Sequence, residues 1–216
     1  MSGKGKNAID MTGGSLWKNI LVFSLPLMMT QMLEVLFNLS DVAIAGKYAD
    51  YIALGAVGST ALLVSLFTGI LIGMGAGVNV RTAHRLGAEK TSGSSETVAR
   101  TVYSGLIVCL IIGIILCLVC NIFARPMLEA LKTKDELIES AVLYLKIYAL
   151  GMPAMAVYNF GNGVLSACGE TKKPLIYLSI AGVLNVILNI FFVVVCKKAA
   201  DGVAIASVIA QYLSAS

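Results

Sequence analysis

The feature that most constrains the fold of this chain is a series of apolar runs, each about 20 residues or more, separated by short charged segments. Charged residues make up 13% of the chain and hydrophobic residues 58%, with a mean hydropathy of +0.87. A soluble domain has about 25% charged residues, so this composition leaves too little polar surface for a soluble fold. The pattern predicts an all-α, polytopic membrane protein, in which each helix satisfies its own backbone polar groups.

The apolar runs predict a bundle of six transmembrane helices. The sixth run has roughly 15 residues where about 20 are needed to cross a bilayer, so we expect this helix to be truncated. Residues 1–15 are expected to form a polar cytoplasmic arm, followed by one transmembrane lobe over 16–216. The predicted helices cover residues 16–46, 52–79, 98–123, 142–166, 174–196 and 202–216.

Lys and Arg in the loops predict the orientation of the chain. Nine basic residues fall on the N-terminal side of the membrane and seven on the other, and the inner loops near 81–90 and 172–173 are compact and basic. This bias favours a cytoplasmic N-terminus in a multi-pass protein of the cell membrane. The formal net charge of +4 fits membrane flanks in contact with lipid. Nucleic-acid binding is not expected, because no basic stripe is interleaved with exposed aromatics.

Two local patterns predict packing and a helix start. Gly69, Gly73 and Gly77 form a small-xxx-small stripe in helix 2, a pattern typical of closely approaching helices. Thr133 and Glu136 have the spacing of a capping box, which predicts that helix 4 begins there, in water, before it enters the membrane.

Helix 1 carries polar residues that need an explanation. Glu34, Asn38 and Asp41 are spaced i, i+4, i+7 and therefore lie on one helix face. An ionised side chain at mid-membrane costs roughly 2.5–3.5 kcal/mol, so such groups face protein or a water-filled cavity. No Lys or Arg in the spans is placed to neutralise either carboxyl group. An unpaired carboxyl group there must hold a proton or meet a cation, which predicts a carrier site.

Depth estimates place polar groups from other helices in the same outer half of the membrane as Asp41. At 1.5 Å per residue, Asp41 lies about 9 Å below the outer end of its helix and Glu34 about 20 Å below it. Helix 5 places Asn189 and Asn185 about 12 and 18 Å from the outer edge, and helix 6 places Ser207 about 8 Å in. The predicted cation or proton site comprises Asp41, Asn38, Asn185, Asn189 and Ser207, and the deeper substrate cavity Glu34, Asn159 and Asn162.

Enzyme and metal chemistry are not expected. Cys117 and Cys120 form a C-x-x-C inside an apolar helix with no second ligand pair, so we interpret them as packing residues. The single histidine, His84, lies in a loop. An intramembrane enzyme would need a Ser/His pair, paired aspartates or a His-rich metal site, and none of these is present. No cofactor is expected beyond H⁺ or Na⁺ as coupling ion.

Several segments in chain order resemble the multidrug and toxic compound extrusion (MATE) family of transporters. They are "MTGGSLWKNILVFSLPLMMTQMLEVLFNLSDVAIAGKY", "RTAHRLGAEK", "YLKIYALGMPA", "NGVLSACGETKKP" and "NVILN". Members of that family are about twice this length, with two six-helix lobes. The resemblance implies that this chain corresponds to the N-terminal lobe of a twelve-helix transporter. It also implies export of cationic or amphipathic drugs in exchange for inward-moving H⁺ or Na⁺.

The resemblance assigns roles to individual residues. Asp41 matches the helix 1 aspartate of the family's N-lobe cavity, Asn185 the first residue of a helix 5 pair, and Ser207 a helix 6 hydroxyl. Asn189 stands where many members have an aspartate, which removes one carboxylate from the site. Glu34 stands where an uncharged polar residue is common, and it can restore a charge deeper in the cavity.

The mechanism that the resemblance implies starts from cation or proton uptake. Asp41, assisted by Asn38, Asn185, Asn189 and Ser207, takes up H⁺ or Na⁺ from outside, and the charge change alters helix 1 packing and expels a drug. Pro26 removes a helix hydrogen bond and is the expected hinge. Alternating access needs two lobes, so transport requires a C-terminal lobe or a second copy. The alternatives are a lipid-linked-sugar flippase, which would need a basic cavity, and a partner-dependent or inactive half-transporter.

Overall fold

The computed structural model describes residues 16–92 and 96–216, which form an all-helical bundle. The predicted arm over 1–15 lies outside the described residues. A π-helical segment, Phe191–Val195, continues α6. The α-helices are α1 (Leu16–Tyr48), α2 (Tyr51–Ser92), α3 (Glu96–Ala130), α4 (Asp135–Ala149), α5 (Met152–Ala167), α6 (Lys172–Ile190) and α7 (Ala200–Ala215).

Four stretches of the described chain are long and apolar enough to cross a membrane: Trp17–Tyr48, Tyr51–Glu89, Val98–Ala130 and Lys172–Val195. The pair α4 and α5 would supply a fifth span if its two halves count as one, although they are bent by 45°. In the sixth predicted place lies α7, a shorter apolar helix of 16 residues. The prediction of a helical membrane bundle is confirmed.

The fourth predicted span is divided at Leu150 and Gly151, between α4 and α5. Pro153 follows in the first turn of α5, and a proline cannot donate the backbone hydrogen bond that would continue the α4 ladder. The Tyr212 hydroxyl donates to the Leu150 carbonyl at 3.2 Å, so α7 contacts the chain at the break. Apolar residues continue through the break, which is why the hydropathy pattern shows one helix.

A close approach of two helices joins α2 to α5 through Gly75 and Gly163. A Cβ atom added to either glycine would overlap backbone of the other helix. The predicted stripe of Gly69, Gly73 and Gly77 is wrong as a packing surface, because a Cβ at each would meet nothing within 4 Å. Its spacing is right for a packed face, but the neighbouring helix lies on the face that carries Gly75.

The capping box predicted at the start of α4 is not formed. The N-cap residue is Lys134, and no side chain caps the helix. Glu136 instead accepts a hydrogen bond from the Tyr51 hydroxyl of α2 at 3.3 Å. The start of α4 is therefore tied to the neighbouring helix rather than to its own first turn.

Candidate functional site

Asp41 is the centre of a buried hydrogen-bond network that joins α1, α6 and α7. The Asn189 amide donates to one carboxylate oxygen at 2.6 Å, and the Ser207 hydroxyl donates to the other at 2.8 Å. Asn189 also donates to the Asn185 side-chain oxygen at 3.2 Å, and Asn185 donates to the Ser207 oxygen at 3.3 Å. All four side chains are at most 5% exposed. The structure thus brings together four of the five residues predicted for the cation or proton site.

The hydrogen bonds to Asp41 offset the free-energy cost of placing an ionised carboxylate within the membrane. An ionised side chain at this depth costs roughly 2.5–3.5 kcal/mol. Each hydrogen bond to a charged group contributes about 1.5–3 kcal/mol, so the two donors offset a cost of similar size. Neither the charged nor the neutral form of Asp41 is therefore strongly excluded.

The network also holds an acceptor with no partner. The side-chain oxygen of Asn189 is buried and accepts no hydrogen bond from the described residues, although Asn189 is 0% exposed. Buried polar atoms are rarely left unpaired. An oxygen atom of this kind next to a carboxylate is chemically suited to meet a cation or a proton donor.

Close packing of α1 on α6 sets the position of Asp41. The Phe37 ring lies over Gly182, where a Cβ atom would overlap the ring. Phe37 is one turn before Asp41, and Gly182 is one turn before Asn185. The absence of a side chain at residue 182 therefore allows the Phe37 ring of α1 to pack directly on α6 one turn from the network.

The start of α7 sets the position of Ser207. Asp201 in the first turn accepts hydrogen bonds from the Ala199 N–H at 3.1 Å and from the Lys198 amine at 2.7 Å. The hydrogen bond to Asp201 also raises the pKa of Lys198. These contacts fix the first turn of α7 two turns before Ser207.

A cavity of about 90 Å³ extends from Asp41 along α1, α5, α6 and α7. Of the predicted residues, it is lined by Glu34, Asn38, Asp41, Asn159, Asn185 and Ser207. Asn189 is fully buried behind this lining, in contact with Asp41. Asn162, predicted to lie in the substrate cavity, is not part of the lining, and its side-chain oxygen accepts a hydrogen bond from Ser166 at 3.3 Å.

Asn38 and Pro26 are the two predicted residues on α1 that lie apart from the hydrogen-bond network. Asn38 is exposed at the mouth of the cavity, and its amide donates to the Glu34 carbonyl at 3.0 Å. Pro26 is buried inside α1, and its carbonyl accepts the Thr30 hydroxyl at 2.9 Å. That bond gives the Pro26 carbonyl a side-chain donor, whereas the missing N–H of Pro26 affects the carbonyl of Val22, one turn earlier.

Sequence reasoning missed several lining residues. Tyr148 and Tyr158 place aromatic rings in the cavity wall, and Gln211 and Ser214 continue the wall along α7. Gln211 and Ser214 follow Ser207 at i+4 and i+7, so helical spacing from a known polar residue could have found them. The tyrosines carry no such signal, because buried aromatic residues are common in any helical core.

Neither Glu34 nor Asp41, the two carboxyl groups that line the cavity, is paired with a basic side chain of the described residues. The cavity lining contains no Lys, Arg or His. Within residues 16–92 and 96–216, ion pairs join Arg125, Lys134, Lys173 and Lys198 to acidic residues other than Glu34 and Asp41. The same part of the chain contains no cluster of three or more His, Cys, Asp or Glu residues that could hold a metal.

Comparison with known proteins identifies relatives of this chain. The MatE family model matches residues 26–191, a range that includes Asp41 and both α6 asparagines. The chain is 29% identical over 206 residues to the "probable multidrug resistance protein YpnP" of Bacillus subtilis (strain 168), covering 94% of this chain and 45% of that protein. It is 30% identical over 176 residues to the multidrug resistance protein PmpM of Pseudomonas aeruginosa, covering 80% of this chain and 35% of that protein.

The fold is also similar to solved structures. A crystal structure of MATE in the bent conformation superimposes with a TM-score of 0.84 at 23% identity, covering 91% of this chain and 43% of that one. This chain spans about half the length of the relatives and structures that it matches, at 45% of YpnP and 43% of the MATE crystal structure.

Proposed function

Because the chain belongs to the MatE family, we propose that it forms the cation-binding lobe of a multidrug efflux transporter. In this proposal the complete transporter exports cationic or amphipathic organic compounds in exchange for inward-moving H⁺ or Na⁺. The observation that carries it is the buried Asp41 carboxylate, held by neutral donors at 2.6 and 2.8 Å and by no basic side chain of the described residues.

The proposed coupling step takes place in the Asp41 network. Arrival of H⁺ or Na⁺ neutralises the carboxylate, and this weakens the hydrogen bonds that it accepts from Asn189 and Ser207. Those donors lie on α6 and α7, whereas Asp41 lies on α1, so a change in their hydrogen bonds changes how α1 packs on the rest of the lobe. Pro26, inside α1, is the proposed point at which this helix bends.

The proposed substrate class follows from the cavity wall. Glu34 provides a carboxyl group, and Phe37, Tyr148 and Tyr158 provide aromatic rings. An organic cation is attracted both to a carboxylate and to the face of an aromatic ring. This composition supports a positively charged, partly apolar substrate.

The size of the cavity supports a second lobe as partner. A volume of about 90 Å³ is well below the roughly 300–1,000 Å³ of a pocket for a drug-sized molecule. Alternating access also needs two bundles that move against each other. We therefore propose that a C-terminal lobe or a second copy of this chain completes the substrate site, and that the lobe alone does not transport.

The other activities considered for this chain are less well supported. MatE family members are transporters and not enzymes. A flippase for a lipid-linked sugar phosphate would need basic groups in its cavity, but the lining contains carboxyl groups, amides and hydroxyls with no Lys or Arg.

The chain is an integral membrane protein. We propose the cell membrane as its location, with a cytoplasmic N-terminus, because Arg81 and Arg85 near the end of α2, Arg100 near the start of α3, and Lys172 and Lys173 at the start of α6 lie at one end of the bundle.

The test of the proposed function is efflux of ethidium from cells that carry the complete transporter, with Asp41→Asn as the variant. Efflux at the level of cells without the transporter is expected. Asp135→Asn, at an exposed position in α4, is the matched control and should leave efflux unchanged. Normal efflux by Asp41→Asn would remove this carboxylate from the mechanism. In proteoliposomes, a pH gradient and a Na⁺ gradient imposed separately identify the coupling ion.

A further inference from the structure

A second cavity, of about 610 Å³, lies between α2 and α3 at the end of the bundle where these two helices are connected. It shares no lining residue with the cavity at Asp41. Its wall carries three guanidinium groups, from Arg81 and Arg85 on α2 and from Arg100 on α3. The proposed transport mechanism uses none of them.

The arginines of this cavity have no ion-pair partner among the described residues. Among the described residues, the arginine that forms ion pairs is Arg125, which lies outside this cavity. The Nε atom of Arg85 is buried and has no hydrogen-bond partner among the described residues. Three cations around one concave surface, with a buried donor left unused, form a binding surface for an anion.

Thr82 is an independent sign of a missing ligand. It lines the same cavity and is 1% exposed, and its hydroxyl oxygen has no hydrogen-bond partner in the described residues. A threonine inside a helix usually satisfies its hydroxyl by donating to a carbonyl one turn earlier, as Thr60 does to Ala56 at 3.2 Å. The unpartnered hydroxyl of Thr82 is available to an oxygen atom of a ligand.

The wall changes from charged to apolar along its length. Below the arginines it is formed by Met74 and Val78 of α2 and by Val108 and Cys109 of α3. Met74 and Arg85 are eleven positions apart on α2, a distance of roughly 16 Å along the helix. Arg81 comes directly after the apolar run that ends near residue 79, so the cations lie at headgroup depth and the apolar wall at acyl-chain depth.

We propose that this cavity binds an anionic phospholipid, with the phosphate on Arg81, Arg85 and Arg100 and the upper acyl chains along Met74 and Val78. Basic pockets between transmembrane helices on the cytoplasmic side are a known way to hold acidic headgroups. The apolar wall favours a lipid over free phosphate, because a soluble anion would gain nothing from it. The site is separate from Asp41, so it does not depend on the proposed transport activity.

The test measures how many lipids the purified chain retains in native mass spectrometry, with phosphatidylglycerol and phosphatidylcholine of identical acyl chains. The test variant is Arg85→Gln with Arg100→Gln, and the matched control is Lys18→Gln with Lys172→Gln. The control removes the same charge at the same end of the bundle, from exposed residues outside the cavity. Phosphatidylglycerol retention should fall by about fivefold for each arginine removed, and the control should retain it as the unaltered chain does.

Two further variants keep the test decisive if the double glutamine variant does not fold. Arg85→Lys with Arg100→Lys keeps both charges and should retain most of the phosphatidylglycerol. Thr82→Val keeps the shape of the side chain without its hydroxyl, and it should lower phosphatidylglycerol retention without changing phosphatidylcholine retention.

Three results would overturn the proposal. Equal retention of phosphatidylglycerol by the unaltered chain and the glutamine variant would show that the arginines hold no lipid. Displacement of the lipid by millimolar inorganic phosphate would identify a site for the soluble anion. Equal loss of both lipids in every variant would show that these residues support the fold instead.

Discussion

Asn189 donates its side-chain amide to the Asp41 carboxylate at 2.6 Å, across 148 positions of sequence. Asp41 is the buried acidic side chain of α1, and Asn189 of α6 is 0% exposed. The hydrogen bond between them therefore lies inside the bundle. A neutral amide therefore takes the place next to the carboxylate that a lysine or arginine would occupy in a structural ion pair. The carboxylate is held in position without being neutralised.

Substitution Asp41→Asn should stop transport and leave the fold intact. Asparagine has the same shape, and its oxygen can still accept the Ser207 hydroxyl, but it cannot take up a proton or bind Na⁺ by charge. The expected result is an unchanged thermal unfolding temperature in detergent, together with loss of ethidium efflux by the complete transporter. A variant that unfolds early would show that Asp41 serves the packing of α1 instead.

Substitution Ser207→Ala should make the site hold its coupling ion more tightly. The Ser207 hydroxyl stabilises the empty, ionised carboxylate, and a hydrogen bond to a charged group contributes about 1.5–3 kcal/mol. Its loss should lower the half-saturating concentration of the coupling ion by about tenfold or more and slow turnover, because release becomes harder.

The matched variants for this prediction are Ser207→Thr, which keeps the hydroxyl, and Ser179→Ala on α6. Ser179 donates only to the Leu175 carbonyl at 2.7 Å and lines neither cavity. Both should behave like the unaltered protein. A rise in the half-saturating concentration for Ser207→Ala would mean that the hydroxyl is a ligand of the ion.

Much of this network could be predicted from sequence, because it depends on spacing and depth. Asn185 and Asn189 are one turn apart, and counting 1.5 Å per residue from the helix ends puts them in the same outer half of the membrane as Asp41 and Ser207. Polar residues that lie within spans in the same half of the membrane have few partners other than one another. The structure shows the four side chains in contact.

Helix rotation and bending could not be read from the same pattern. Asn159 lines the cavity, whereas Asn162, three positions on, accepts a hydrogen bond from Ser166. Which face of α5 meets the cavity depends on the rotation of this helix, and the sequence also shows no sign of the 45° bend between α4 and α5. The glycine stripe of α2 failed for a related reason. A period of four residues defines a face, but which face meets α5 depends on tertiary contacts, here those of Gly75.

Substitution Asn189→Asp should make the stability of the lobe depend on cations. The new carboxylate would lie in hydrogen-bond contact with Asp41, and two carboxylates this close cannot both remain ionised without a proton or a metal cation between them. The thermal unfolding temperature in detergent should therefore rise with added Na⁺ or on acidification, and more steeply than in the unaltered chain.

The control for this variant is Asn121→Asp on α3. Asn121 is partly buried and donates to the Cys117 carbonyl at 3.0 Å, with no carboxylate among its partners. It introduces the same charge into a membrane helix without creating a pair. If both variants respond equally to cations, the response reports buried charge in general and not the Asp41 site.

Substitution Gly182→Ala tests whether the approach of α1 to α6 builds the site. Alanine is the better helix former by about 0.8–1.0 kcal/mol, whereas overpacking a close contact costs typically 1–3 kcal/mol. A Cβ at residue 182 would overlap the Phe37 ring, so the packing cost should exceed the helix gain and lower the unfolding temperature. Gly161→Ala on α5, where a Cβ meets nothing within 4 Å, should be neutral or stabilising.

Combining Gly182→Ala with Phe37→Leu should restore stability, because the smaller side chain leaves room for the new methyl group. If Gly182→Ala is as stable as Gly161→Ala and equally active, α1 does not need this contact to bring Asp41 to Asn185 and Asn189.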